Sequence, residues 1–539
     1  MDKNGKLLAP ILCAMIPLIP LMYLYPRNAE YISAVHVGLV GVGMAVVSLV
    51  GYMVLRLIAK SRLGALTGCL AAWIMFFALK SACDWIVNDQ KLMGYGKFIV
   101  AYAGVTVILA LAVAFALRKV RVQQLYPLLL VFFGVLLLFN AVPAVTTAVE
   151  NEKQSSSMDL SKFKTQFTVS QDTPSPNVYW FHCDGMLGFD AYEKYFGDDQ
   201  ADFVKALQDR GFGIDRGATF EADHTTKIAV PALLCPYFYD STMREVLKDH
   251  ESAAKASQVL SKSELQYARV KDETRVAFEQ KGYFSQTIGS INIYYPPVSD
   301  GFYVVGDSGG AYKLETGGDF EQQYLSIIEA GELAILLTDI PGNAYFNTVV
   351  KLGEKGLLGF PLSRSALTHK LTEEQLSQLA QGKKLLLKNR MMMEAINDST
   401  YQQQPAFNFV FFIGAHYPFT VDENGEKLQG DPGDIHSYAG QHKYAATMLL
   451  GMIDEILARD PDAVIVLQAD HGLHGQSADQ ITQAFGQDAV LPIWNQVMSA
   501  LRVPDKYKNG DESYALESPL NMSRYLVNSF VGKNYDYLQ

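Results

Sequence analysis

Residues 463–472 read Ala-Val-Ile-Val-Leu-Gln-Ala-Asp-His-Gly. The first five form a continuous apolar run, and Gln468 and Ala469 lead from it to two polar side chains, Asp470 and His471. Unbroken apolar runs of this length suit a parallel strand covered on both faces. Just upstream, Tyr444–Leu457 places Leu449, Met452, Ile453, Ile456 and Leu457 on one helical face. Ala406–Gly414 (AFNFVFFIG) reads as a second buried strand, ending at Ala415-His416, and Asn177–Cys183 (NVYWFHC) as a third, ending at Asp184-Gly185. Tyr283–Ser290 reads as a further strand, Asp199–Arg210 has helical spacing at Phe203, Ala206 and Leu207, and Leu371–Asn397 is a long helix candidate. Strands alternating with helices predict an α/β domain with a mainly parallel sheet. Ligands of such sheets sit outside the carboxyl ends of strands. Asp184, His416 and the Asp470-His471 pair are therefore expected at one sheet edge. Residues 300–370 are Gly-rich and irregular; a lid, an insertion and part of a smaller subdomain all stay open for them.

The first 150 residues have a different composition. They carry a net charge of +7, whereas residues 151–539 carry −18, together the −11 of the chain. Five apolar runs, Leu7–Tyr25, Ala34–Leu57, Gly64–Ala82, Phe98–Leu117 and Leu125–Thr147, are each of about the 20 residues that cross a bilayer core as helix. Lys3 and Lys6 precede the first, Lys60 and Arg62 separate the second and third, and Arg118, Lys119 and Arg121 separate the fourth and fifth. Basic clusters on one side read as cytoplasmic, which places the N-terminus inside and residues after 150 outside. Leu7–Tyr25 is long for a signal-peptide core and no clear small-x-small site follows it, so it reads as a retained span. Arg56 and Lys80 lie near span ends, where long side chains reach the interface. The spans read as an anchor rather than an ion pathway. The expected organisation is a five-span membrane domain over 1–149, a linker over 150–175 that begins at the polar Glu150–Ser157, and an extracytoplasmic domain over 176–539. The acidic second part argues against nucleic acid as a partner.

Asp184, Asp470 and His471 make a carboxylate, carboxylate, imidazole set that suits Zn2+ or Mn2+ better than the all-oxygen cage of Ca2+. The segment His224–Leu234 (HTTKIAVPALL) offers a further oxygen ligand. Thr226 stands five residues before Pro231, where a loop enters a helix. A hydroxyl there can meet a metal, whose charge lowers its pKa and makes it a nucleophile. Thr225 adjoins it, so the spacing leaves the nucleophile open by one residue. His224, His436, His442 and His474 are further candidates for a second metal or for substrate contacts. Of the five cysteines (Cys13, Cys69, Cys83, Cys183 and Cys235), only Cys183 and Cys235 lie beyond the spans, and spacing leaves open whether they pair.

Strand-then-Asp, Thr-x-x-(small)-x-Pro, His-Tyr-Pro-Phe at 416–419 and strand-then-Asp-His-Gly together resemble the alkaline phosphatase/sulfatase superfamily. The five spans resemble its membrane-anchored branch, to which lipoteichoic acid synthases and lipid A phosphoethanolamine transferases belong. The tail Asn521–Asn528 is similar to the end of many such proteins. The resemblance implies metal ligands at Asp184, Thr226, Asp470 and His471, Thr226 as nucleophile, and His416 against the phosphate or leaving group. It implies a transferase that moves a phosphoglycerol or phosphoethanolamine head group from a membrane phospholipid to a glycan or glycolipid of the cell envelope, at a bacterial inner membrane. The alternative is a membrane-anchored hydrolase of phosphodiesters or sulfate esters. The Cys-x-Pro-x-Arg motif of sulfatases is absent, and Ala229 stands where the family often has Ser.

Overall fold

A computed structural model describes residues 3–289, 301–306, 310–314, 362–364, 392–393, 396 and 404–539, apart from 30–31, 84, 87–89, 91, 94, 121–123, 157–158, 224, 249–259, 261, 413 and 418. The chain divides into two compact units, which are taken in turn.

In the first, five helical stretches are long and apolar enough to cross a membrane. The first consists of two helices, α1 (Lys3–Met15) and α2 (Leu18–Asn28). The sequence reads as one run here, but the chain turns at Ile16 and Pro17. Pro20 has no N–H to donate to the Ile16 carbonyl, and Pro17 removes another donor, so the helix breaks at Ile16 and Pro17. The other four stretches are α3 (Ala34–Ala59), α4 (Arg62–Cys83), α5 (Tyr95–Ala116) and α6 (Leu125–Ser156). The hydroxyl of Ser48 on α3 donates to the Cys13 carbonyl at 2.6 Å and accepts from Trp73 Nε1 on α4 at 3.0 Å. On α4, Gly64 and Gly68 face the carbonyls of Ala114 and Ala110 on α5 so closely that a Cβ would collide. Small residues four apart allow this approach between apolar helices. Residues 150–156, expected to start the linker, instead continue α6. Glu150, Glu152, Lys153 and Gln154 are good helix formers, so polarity there ends the apolar stretch without ending the helix.

The second unit is built on a sheet of nine strands among the described residues, in the order β2-β9-β8-β1-β7-β3-β4-β5-β6. These are β1 (Val178–Cys183), β2 (Phe212–Asp215), β3 (Phe284–Gly289), β4 (Gly301–Gly306), β5 (Gly310–Leu314), β6 (Leu362–Arg364), β7 (Ala406–Phe412), β8 (Val464–Gln468) and β9 (Ser499–Arg502). The inner run β8-β1-β7-β3-β4 is parallel, and both flanks are antiparallel. The α/β architecture with a mainly parallel sheet is as the sequence predicts. Every residue of β1, β7 and β8 is buried, because a parallel strand in the middle of such a sheet is covered on both faces. Part of the unplaced stretch 300–370 supplies β4, β5 and β6; the rest lies outside the described residues, as does most of the helix expected over Leu371–Asn397.

Four helices matter below. Helix α7 (Phe189–Phe196) follows β1, α8 (Thr226–Leu234) follows β2, and α9 (Glu273–Gln280) precedes β3. Helix α10 (Ile435–Arg459) connects the β7 side to β8. The expected helix Asp199–Arg210 forms over Ala201–Asp209. Cys183 and Cys235 are both buried and free, so no disulfide joins them.

Candidate metal centre

Register places the chemistry. Cys183 of β1 lies beside Phe412 of β7, and His182 lies beside Gln468 of β8. The residues just past these pairs therefore leave the sheet at neighbouring points of one edge. The Asp184 amide still donates to the Phe412 carbonyl, at 3.2 Å. Gly185 then turns the chain away with φ +76°, and a Cβ there would stand 3.1 Å from the Cα of His416. A glycine is required at this contact both for its backbone angle and for the close approach.

Helix α10 holds that turn from behind. The Tyr438 hydroxyl donates to the Gly185 carbonyl and accepts from the Leu187 amide, each at 3.0 Å. On the other side, the Gly472 amide donates to the Trp494 carbonyl and the Leu473 amide to that of Ile493, both at 2.7 Å. The loops that carry Asp184 and His471 are thus fixed by backbone bonds.

Nε2 of His471 lies 3.1 Å from Oδ1 of Asp184 and 3.7 Å from Oδ1 of Asp470. Nδ1 of His471 donates to the Gly472 carbonyl at 2.9 Å. In the neutral ring this leaves a lone pair on Nε2, aimed at a carboxylate oxygen. Two lone pairs at that distance repel unless a proton or a cation joins them. Burial works to push the His471 imidazole down, but the Asp470 and Asp184 carboxylates outweigh it and hold it up at about 9. Burial likewise works to raise Asp470, but His471, His182 and the Thr226 hydroxyl outweigh it and hold that carboxyl well below the usual range. The contacts to Asp470 are loose. By strict geometry neither of its oxygens, nor Oδ1 of Asp184, has a well-aligned donor, although all three are buried. Buried carboxylate oxygens without donors, beside an imidazole with an inward lone pair, fit a divalent cation.

Asp184, His416 and His471 offer ligand atoms within 4.8 Å of one another, and so do His182, Asp184 and Asp470. The ring centroids of His416 and His471 are 5.7 Å apart. His416 Nδ1 hydrogen-bonds to the Tyr417 carbonyl, which leaves Nε2 as the atom available for other work. Thr226 opens α8, with Thr225 as its N-cap, and the Thr226 hydroxyl lies near enough to Asp470 to favour its ionised form. Thr225 precedes the helix as its N-cap and makes no side-chain cap bond.

His182 is a member the sequence reading passed over. It is fully buried in β1, with Nε2 3.4 Å from Oδ1 of Asp470. A histidine inside an otherwise apolar strand, two residues before a candidate ligand and so on the same face, was the available signal. Among the other candidates, His474 stacks on His471 with centroids 4.0 Å apart. His442 is buried in α10 against Tyr192 and Tyr438 instead, where burial pushes it down to about 4. His436 lies near the start of the same helix, and His224 is outside the described residues.

No protein-family model and no curated protein matches the chain. Solved structures do. The integral membrane protein lipooligosaccharide phosphoethanolamine transferase A (EptA) from Neisseria meningitidis aligns over 98% of this chain and 96% of its own, at 11% identity and a TM-score of 0.37. The lipoteichoic acid synthase LtaP from Listeria monocytogenes aligns over 69% and 78%, at 10% identity and 0.37. The C-terminal periplasmic domain of EcEptC from Escherichia coli, in complex with Zn, aligns over 68% and 86%, at 11% identity and 0.36. At these scores the likenesses carry no weight for function.

Proposed function

We propose that the chain is a metal-dependent transferase that moves a phospho-head group, phosphoglycerol or phosphoethanolamine, from a membrane phospholipid to a hydroxyl of an envelope glycan or glycolipid. The observation that carries this reading is the convergence of Asp184, Asp470 and His471 with the Thr226 hydroxyl at one sheet edge. These four would hold the cation. A bound Zn2+ or Mn2+ supplies charge that lowers the pKa of a ligated hydroxyl and polarises a phosphoryl oxygen.

The chain's own residues supply the rest. Oγ1 of Thr226, its proton already released to solvent, attacks the phosphorus of the head-group diester, and the bond to the diacylglycerol oxygen breaks. His416, with Nδ1 committed to Tyr417, donates from Nε2 to that leaving oxygen as imidazolium. A phosphothreonine diester remains. The acceptor hydroxyl then gives its proton to the now neutral Nε2 of His416 and displaces Thr226. Splitting the reaction in this way gives ping-pong kinetics. The spans over 1–149 keep the catalytic part, within 176–539, at the bilayer where the donor resides, on the extracytoplasmic side of a bacterial inner membrane. Confinement there raises the donor's effective concentration.

The test is mass spectrometry of the Thr226 peptide after the purified chain meets phosphatidylglycerol or phosphatidylethanolamine vesicles. A phosphoglycerol or phosphoethanolamine adduct on Thr226, discharged when a glycan acceptor is added, is expected. Discharge by water alone makes the protein a hydrolase, and an unmodified Thr226 with diacylglycerol released removes it from the mechanism.

A further inference from the structure

A cavity of about 490 Å3 opens beside the segment that braces the metal edge. Arg244, Lys248, Glu221, Thr219, Asn495 and Gln496 are among its polar lining. The volume lies within the roughly 300–1,000 Å3 of small-molecule sites. One wall, residues 491–496, is the stretch whose Trp494 and Ile493 carbonyls hold the backbone after His471. The Gln496 carbonyl also accepts from the Gly188 amide at 3.0 Å, four residues past Asp184. The cavity and the candidate metal edge thus share a piece of backbone.

Arg244 stands out. Arg210, Arg216, Arg275, Arg459 and Arg524 each bond to carboxylates, and Arg269 and Arg502 to carbonyls. Among the described residues Arg244 has no hydrogen-bond or ion-pair partner, in a part of the chain whose net charge is −18. Lys248 pairs with Glu245, three residues before it. Glu221 is the one carboxylate in the lining, and with Lys248 paired to Glu245 the guanidinium of Arg244 is the cation left for a ligand. A free guanidinium is a fork for phosphate or carboxylate. Two amides, a threonine hydroxyl and a carboxylate suit ligand hydroxyls, and Leu247, Leu491 and Pro492 offer apolar surface for the C–H face of a ring.

We infer that this cavity binds the acceptor, and that the acceptor is an anionic saccharide whose phosphate or carboxylate sits on Arg244 and whose hydroxyls sit on Thr219, Glu221, Asn495 and Gln496. The inference rests on the transferase reading for the ligand's role, but its binding site does not depend on turnover.

The experiment is calorimetric titration of the detergent-purified full chain carrying Thr226→Ala, with EDTA present, against glucose 1-phosphate, glucuronic acid, maltose and inorganic phosphate. Both anionic sugars are expected to bind more tightly than maltose or phosphate. Arg244→Gln is expected to weaken them at least about tenfold, with Arg244→Lys recovering part of the loss. Equal binding in Arg244→Gln, no binding by either anionic sugar, or binding abolished by EDTA relative to Zn2+-loaded protein each overturns the inference. Failure of the transferase reading shows separately, as an unmodified Thr226 peptide in a chain that still binds the sugar.

Discussion

Nε2 of His471 and Oδ1 of Asp184 face each other at 3.1 Å across the ends of β8 and β1, strands paired in parallel though far apart in sequence. With Nδ1 tied to the Gly472 carbonyl, Nε2 is held facing the carboxylate. The pair is set to share a cation, and such an outer hydrogen bond fixes the orientation of a metal-ligating histidine. Asp184→Asn and His471→Gln are each expected to lower metal affinity at least about 100-fold, more than the loss of an outer partner usually costs. Metal content after dialysis against graded chelator measures this. Chelation of the unaltered protein is expected to lower its thermal midpoint, because a ligand at about 100 times its Kd stabilises by about 2.7 kcal/mol.

Tyr438 is not a ligand, yet its hydroxyl closes the turn after Asp184 from both sides. Tyr438→Phe keeps the ring packing against Phe196, Phe419 and His442. It strands a buried carbonyl and a buried amide, at a cost of about 1–3 kcal/mol. The expected outcome is a lower thermal midpoint together with a metal affinity weakened by about 10-fold. An unchanged affinity with a lowered midpoint would make Tyr438 a packing residue only.

Thr226 and Thr225 are separated by their places in α8. Thr225 is the N-cap but makes no side-chain cap bond, whereas the Thr226 hydroxyl meets Asp470. Thr225→Ala is therefore expected to cost less than about 1 kcal/mol of stability and to leave turnover within a few-fold. Thr226→Ala is expected to stop diacylglycerol release with folding intact, and Thr226→Ser to retain part of it. Release measured from labelled phospholipid vesicles, beside thermal melts, distinguishes the three.

The strands that carry the site were readable because each is apolar on both faces and stops at a charged or imidazole side chain; β1, β7 and β8 needed no pairing information. The flanking strands were not. Phe212–Asp215 and Ser499–Arg502 are four residues each, too short for a pattern, and owe their place to antiparallel pairing at the sheet's margin. His182 sits within the apolar run of β1. Its meaning comes from register, which sets it opposite Gln468 and so within reach of Asp470. The break at Pro17 was visible as proline density in the first span, but hydropathy averages across it.

Glu273, at the start of α9, offers a test of the fold that is independent of metal. It is fully buried and accepts from the amides of Lys164, Tyr237 and Phe238 and from the Tyr535 hydroxyl. Burial nevertheless pushes its carboxyl up to about 7 from an ordinary value of 4.5. Between those two pH values the folded chain holds a proton that the unfolded chain has released. The stability this proton contributes is complete below about pH 4.5 and is lost as pH rises through about 7, a change on the order of 3 kcal/mol. Asp272 beside it, raised to about 6 by burial against the pull of Arg275, acts in the same direction. Glu273→Gln keeps the accepting oxygen but removes the titration. Thermal midpoints measured from pH 5 to pH 8 are expected to fall less with rising pH in Glu273→Gln than in the unaltered chain. Parallel curves would mean that Glu273 stays ionised throughout, held by its four donors.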